Sequence, residues 1–238
     1  MIVGIKNKRY NFSMVSKMNG FGRNWRPAQQ EVSIKLAGRL DELRSVLRLQ
    51  VPDLVAARSG VSYLTLGPDR GELHVPLWEQ VCVFSFPELV GYGNDDEHLS
   101  DFQQTLLLYY LSTADGTPLS GKWVSFADLP DGRMYNSAFQ GYSGDELVKV
   151  FGFGLDALQS ACLKADGKRI EIGSASFIFK ALPRVPLMMT YWLGDEDFPS
   201  SCKILFDASA SHYLPTDACA ILGGMLTRKL IAGVARTA

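Results

Sequence analysis

Wound at 3.6 residues per turn, the ten residues Phe102-Gln-Gln-Thr-Leu-Leu-Leu-Tyr-Tyr-Leu111 carry apolar side chains around almost their whole circumference. A helix without a polar stripe has no face to give to solvent. The rest of the chain must therefore supply elements that enclose it on several sides.

Such elements can be read before and after it. Val32, Leu36, Leu40, Leu43 and Leu47 recur at spacings of three and four and predict an amphipathic helix over 28–49. Pro52 opens a second, short helix through Arg58, and Gly60 ends it in the position a helix C-cap favours. From Tyr63 to Phe84 the apolar residues alternate across the turn Gly67-Pro68-Asp69-Arg70-Gly71, which predicts a three-stranded meander over 61–86. The Gly- and Pro-dense stretch 115–132 reads as a structured loop that carries one strand around Trp123-Val-Ser-Phe126. Helical patterns return at 144–150 and 155–165. Strands follow at 169–172, 176–182 and 186–193, and a last helix starts near Thr216, behind Pro215. Strands and helices do not alternate one for one, so the fold class is α+β: a central, mostly antiparallel sheet, a buried central helix and helices at both ends. Residues 27–238 read as one domain. Residues 1–26 form a basic N-terminal extension, with Lys6, Lys8, Arg9, Lys17, Arg23 and Arg26 and no acid.

Charge and cysteine content exclude several functions. With 24 basic and 25 acidic residues the net charge is −1, so nothing global draws the chain to nucleic acid or to anionic lipid. No apolar run approaches the ~20 residues of a membrane-spanning helix. Cys82, Cys162, Cys202 and Cys219 form no C-x-x-C pair, which argues against a structural zinc site, a cysteine-held cluster and a disulfide framework, and for a reducing cytoplasm. Phosphate-loop, H-E-x-x-H and G-x-S-x-G signatures are absent, and the glycine pairs Gly91/Gly93 and Gly152/Gly154 lack the third glycine of a dinucleotide site.

Three histidines exist, so a histidine-rich metal centre is excluded. His74 alternates with apolar residues on a strand and faces solvent, and His98 lies in a polar loop. His212 has Asp207 five residues before it and Asp217 five after, just ahead of a helix. A carboxylate oriented against its imidazole would make it a general acid–base or a ligand. Alternatively, Thr216 and Asp217 only cap the helix and His212 bonds to a backbone carbonyl. Asp195-Glu196-Asp197 ends a strand; Asp195 and Asp197 share one face and can hold a hard cation or exchange a proton, or the turn is merely solvated. The candidate catalytic residues are thus Asp195, Asp207 and His212, and the same three form a candidate O,O,N metal set. Trp123, Phe126, Trp192 and Asp197 are candidate ligand contacts; Tyr135, Phe139 and Tyr142 are further aromatics able to wall a pocket for a planar ligand, or to be core.

Three stretches carry a family resemblance: GTPLSGKWVSF (Gly116 to Phe126), Ala138-Phe-Gln-Gly141, and LPRVPLMMTYWLGDEDFPSSCKILFDASASHYLPTD (Leu182 to Asp217). With these, over roughly residues 30–232, the chain resembles the domain of unknown function family DUF3786. The resemblance implies a neighbourhood rather than a reaction, because the family occurs mainly in anaerobic bacteria and archaea and some members are fused to the iron–sulfur domain of corrinoid iron–sulfur proteins. That cysteine-bearing module is absent here, so the resemblance does not extend to electron transfer. That neighbourhood is anaerobic corrinoid or one-carbon metabolism, and the first reading within it is a cytoplasmic ligand-binding accessory protein for a metal ion, a corrinoid or another tetrapyrrole, with His212, Asp195 and Asp207 as polar contacts, Trp123 and Trp192 as pocket walls, and a corrinoid or iron–sulfur protein as partner. Two alternatives remain open: an enzyme, hydrolase or dechelatase-like, built on a carboxylate and His212, and a protein-interaction module.

Overall fold

A computed structural model describes residues 39–93 and 96–235. The basic extension and the part of the 28–49 helix before Arg39 lie outside the described residues. The remainder of that helix is α1 (Leu40–Arg48), which buries Leu40, Leu43 and Leu47. Helix α2 (Pro52–Ser59) has proline in its first turn and ends on Gly60 at φ 71°, the left-handed conformation that glycine adopts without steric cost.

Strands β1 (Ser62–Gly67), β2 (Arg70–Leu77), β3 (Gln80–Phe86) and the two-residue β4 (Gly91–Tyr92) pair in chain order as an antiparallel meander. Burial along β2 alternates, so Leu73, Val75 and Leu77 face inward. The enclosed helix of the sequence is α3 (Asp101–Thr113). Ser100 and Gln103 form a reciprocal capping box at its start, and every residue from Gln104 to Leu111 is buried. Its Tyr110 hydroxyl donates to the Ser59 carbonyl and accepts from Arg184 N at 3.1 Å. One side chain thus ties α2, α3 and the second sheet.

That second sheet has the order β5-β9-β8-β7-β6, antiparallel throughout: β5 (Trp123–Ser125), β6 (Lys168–Ile170), β7 (Ala175–Leu182), β8 (Val185–Trp192) and β9 (Ser201–Asp207). The strands therefore divide between two sheets, rather than joining one central sheet; Trp78 N donates to the Ala181 carbonyl at 2.9 Å and links them. Phe177, Phe179, Leu187, Met189, Tyr191, Ile204 and Phe206 are buried on the inner side of the second sheet. Helices α4 (Gly132–Tyr142), α5 (Gly144–Phe151), α6 (Leu155–Lys164) and α7 (Thr216–Ala235) surround it, with α5 against β9 and α7 over α4, α5 and α6. Single-turn 3₁₀ segments at Phe126–Asp128 and Ala210–His212 follow β5 and β9. All four cysteines are free and buried, and burial raises the Cys162 and Cys219 thiols to about 12, so they behave as small apolar side chains. Among the described residues no helix is long and apolar enough to cross a membrane.

Candidate functional site

Strand β5 is short, but its register places the loop before it against the segment after β9: Trp123 pairs with Asp207 and Ser125 with Leu205. The centre of this junction is Asp207, only 2 % exposed. Its Oδ1 accepts from Ser120 N and Oγ at 3.0 and 2.9 Å and from Ser209 N and Oγ at 2.9 and 2.7 Å. Its Oδ2 accepts from Gly121 N at 2.8 Å. Burial alone would raise this carboxyl group, but the Ser209 and Ser120 donors outweigh it and hold Asp207 below the ordinary carboxylate range. An anion whose acceptor sites are taken by five donors braces a loop and has little left for a metal or a proton transfer.

His212 lies on the 3₁₀ turn beyond β9 and is about half exposed. Its Nδ1 is 2.7 Å from Asp115 Oδ2 and 3.2 Å from Thr117 Oγ1. Asp115 also accepts from Thr117 N at 2.9 Å. The hydrogen bond from His212, then those from Thr117, lower the Asp115 carboxyl to about 2. An ionised carboxylate only accepts, so Nδ1 of His212 carries the hydrogen of this pair. The next residue, Tyr213, donates its hydroxyl to the Thr117 carbonyl and fixes the same loop.

Beside this junction is a cavity of about 220 Å³ lined by Phe126, Asp131, Tyr135, Tyr142, Thr216, Asp217, Ala220 and Ile221. Phe126 is buried, stacks on Phe139 at 4.3 Å and meets Phe206 behind it, so it is core and wall at once. Tyr135 and Tyr142 lie on α4 two turns apart, 6.4 Å between ring centroids, and burial raises both phenols, which keeps them neutral. Thr216 Oγ1 donates to the Pro130 carbonyl at 2.6 Å, and Asp217 Oδ1 accepts from Ala218 N at 2.8 Å. Both residues therefore brace the start of α7 and also face the cavity.

The other predicted residues lie elsewhere. Asp195 accepts from Asp197 N and Phe198 N at 3.0 and 2.8 Å, closing an exposed turn between β8 and β9. Trp192, 39 % exposed, ends β8 beside that turn. Seven residues of β9 separate this end from Asp207, roughly 20 Å at ~3.3 Å per residue. Asp195, Asp207 and His212 are thus not brought together, and among the described residues no three His, Cys, Asp or Glu side chains are placed to hold a metal ion. Trp192 and Asp197 are likewise parted from Trp123 and Phe126. His74 pairs with Glu72 at 3.1 Å, and exposed His98 packs its ring on Tyr92. Sequence reasoning sought the partner of His212 among its neighbours in the chain and missed Asp115, 97 residues away. The available signal was the position of Asp115 at the head of the GTPLSGKWVSF stretch.

The three stretches that carry the resemblance converge here: loop 116–126, the α4 segment with Phe139, and β9 with the turn after it. The fold is of the α+β class, two antiparallel sheets around a buried helix. A family model described as "Domain of unknown function (DUF3786)" matches residues 52–229, and the chain belongs to that family. Neither the curated proteins nor the solved structures yield a match.

Proposed function

We propose that the protein is a cytoplasmic ligand-binding accessory protein that receives a small, largely apolar molecule or ring in the cavity between Phe126, the Tyr135–Tyr142 pair and the head of α7. The observation that carries this reading is the aromatic cavity itself, formed where the three stretches shared with the family converge. Its volume of about 220 Å³ lies below the ~300–1,000 Å³ of pockets that enclose drug-sized ligands. Size therefore favours one ring or a side arm; a whole corrinoid or other tetrapyrrole would have only an edge there. Four thiols kept as buried, reduced side chains support the cytoplasmic setting.

A fragment screen by ligand-observed NMR, followed by thermal unfolding, tests the proposal. A ligand held at about 100 times its Kd is expected to add about 2.7 kcal/mol of stability, and Ala220→Phe, which fills the cavity, should abolish that gain while the fold persists. Binding that survives Ala220→Phe would overturn it. Visible absorbance in anaerobically purified protein would instead mark a tetrapyrrole held outside the cavity.

A second reading, an enzyme, is favoured by the Asp115–His212 pair, in which a carboxylate orients an imidazole and leaves Nε2 available as a base. Asp115→Asn is expected to lower a hydrolytic turnover by about 10²-fold or more, the scale of general-base catalysis, and to leave the unfolding transition where it is in wild type, as for an exposed pair. Equal turnover in the two proteins would dismiss this reading.

A further inference from the structure

The cavity between α4 and α7 has an apolar floor and an acidic mouth. Phe126, Tyr142, Ala220 and Ile221 are buried, whereas Asp131 and Asp217 are exposed, so the two carboxylates belong to the rim. Thr216 Oγ1 donates to the Pro130 carbonyl at 2.6 Å and holds the heads of both helices, and with them both acids, at the same opening. Neither carboxylate is consumed by the fold. Asp131 precedes α4 at φ 58° and makes no cap hydrogen bond, and among the described residues no group donates to its side chain. Asp217 accepts through Oδ1 from Ala218 N at 2.8 Å, which leaves Oδ2 open among the described residues. The described residues that line the cavity include no Lys, Arg or His. Two cations stand nearby and act elsewhere, Arg133 on Asp128 and Arg228 on the Tyr142 phenol. Arg228 is eleven residues beyond Asp217 on α7, about 16 Å along the axis.

Acids at the start of a helix also serve its dipole, and both helices begin at this opening. Each N-terminus acts as about half a positive charge, so the two termini offset about one of the two carboxylates and roughly one negative charge remains. Behind the acids are inclined aromatic faces. Phe126 and Tyr135 meet at 61° and Tyr135 and Tyr142 at 55°, each pair 6.4 Å apart between centroids. Such faces carry negative potential, attract a cation within about 6 Å, and also pack against an apolar body. We infer, on the reading that this cavity is the binding site, that its ligand is a protonated amine on a small apolar or aromatic body, with the body against Phe126, Tyr135 and Tyr142 and the ammonium at Asp131 and Asp217. Size agrees. The volume of about 220 Å³ exceeds the ~150 Å³ that encloses a benzene, and so admits one ring with a short arm. An anion would meet both carboxylates and no lining cation, and a neutral molecule would forgo both charges.

Benzylamine, benzyl alcohol and benzoate share a ring and differ in charge, and their affinities for the full-length protein, titrated by ligand-observed NMR at low salt, test the assignment. The amine is expected to bind about fivefold or more tightly than the alcohol, and benzoate more weakly than either. The advantage of the amine should shrink as salt rises. A double variant, Asp131→Asn with Asp217→Asn, keeps the size of both side chains and an acceptor for Ala218 N; it should bring the amine to the level of the alcohol and leave the alcohol unchanged, which also reports that the variant is folded. Ala220→Phe should exclude all three. If the alcohol binds and Ala220→Phe excludes it, but the amine has no advantage or keeps its advantage in the double variant, the cation assignment is overturned and the cavity remains a binding site. Benzoate binding to wild type as tightly as benzylamine overturns the assignment without recourse to any variant. If none of the three binds, the cavity proposal falls and the assignment with it.

Discussion

Asp207→Ala is expected to destabilise the protein by about 3 kcal/mol, because three backbone N–H groups and two hydroxyls lose one shared acceptor. The donors are Ser120, Gly121 and Ser209. Ser120 and Gly121 are exposed and can turn to water, whereas Ser209 is buried and cannot, which is why the loss stays below the sum of five bonds. Asp207→Asn keeps the shape but brings an NH₂ against N–H donors, so about half of that loss is expected. Chemical denaturation measures both, and values within about 0.5 kcal/mol of wild type would refute the bracing role. The pH dependence has a definite sign. The folded Asp207 carboxyl lies below its ordinary ~3.9. Its contribution is therefore fully present above that value and is lost as pH falls through the folded value. Wild-type stability should thus decline as pH falls below about 4, and less steeply in Asp207→Asn.

The same residue shows why the site was only partly legible in the sequence. Asp195 and Asp207 are twelve positions apart and look like one acidic cluster. The seven residues from Ser201 to Asp207 are a strand, however, and a strand carries its two ends apart. His212 and Asp115 are distant in the chain and adjacent in space, because β5 pairs with β9, a contact that no local periodicity records. Elements whose burial is set within a few residues were readable. The unstriped run Phe102–Leu111 could only be enclosed, and the alternation from Tyr63 to Phe84 could only be a meander. Helix α4 was overlooked because Gly132, Asn136 and Gly141 weaken helix propensity, and its apolar side, Phe139 and Tyr142, is justified only by Phe126 and Phe206 across the core. The division into two sheets escaped for the same reason, since pairing partners are chosen over long range.

Gly132→Ala should lower stability by about 3 kcal/mol or more, a melting-temperature drop of about 10 °C for a chain of this size. Gly132 opens α4 and is buried; a Cβ there would stand 1.9 Å from the Phe126 carbonyl oxygen, a distance no carbon atom can hold. Relief by moving Phe126 is blocked on two sides. Its ring stacks on Phe139, and its 3₁₀ turn is closed by the Ser125–Asp128 capping box and by Leu129 N donating to the Phe126 carbonyl at 3.2 Å. The remaining freedom is for the start of α4 to move off the turn, which separates Phe126 from Tyr135 and opens the cavity they wall. Gly141 on the same helix is the control: no atom lies within 4 Å of a Cβ there. Gly141→Ala should therefore be neutral or add about 0.5–1 kcal/mol through helix propensity. Thermal unfolding of the two variants separates the explanations, because a general intolerance of α4 to alanine would lower both, whereas the steric account lowers Gly132→Ala alone. Fragment binding should follow the same split. A Gly132→Ala protein that unfolds like wild type and still binds would show that the junction of turn and helix neither limits the fold nor shapes the cavity.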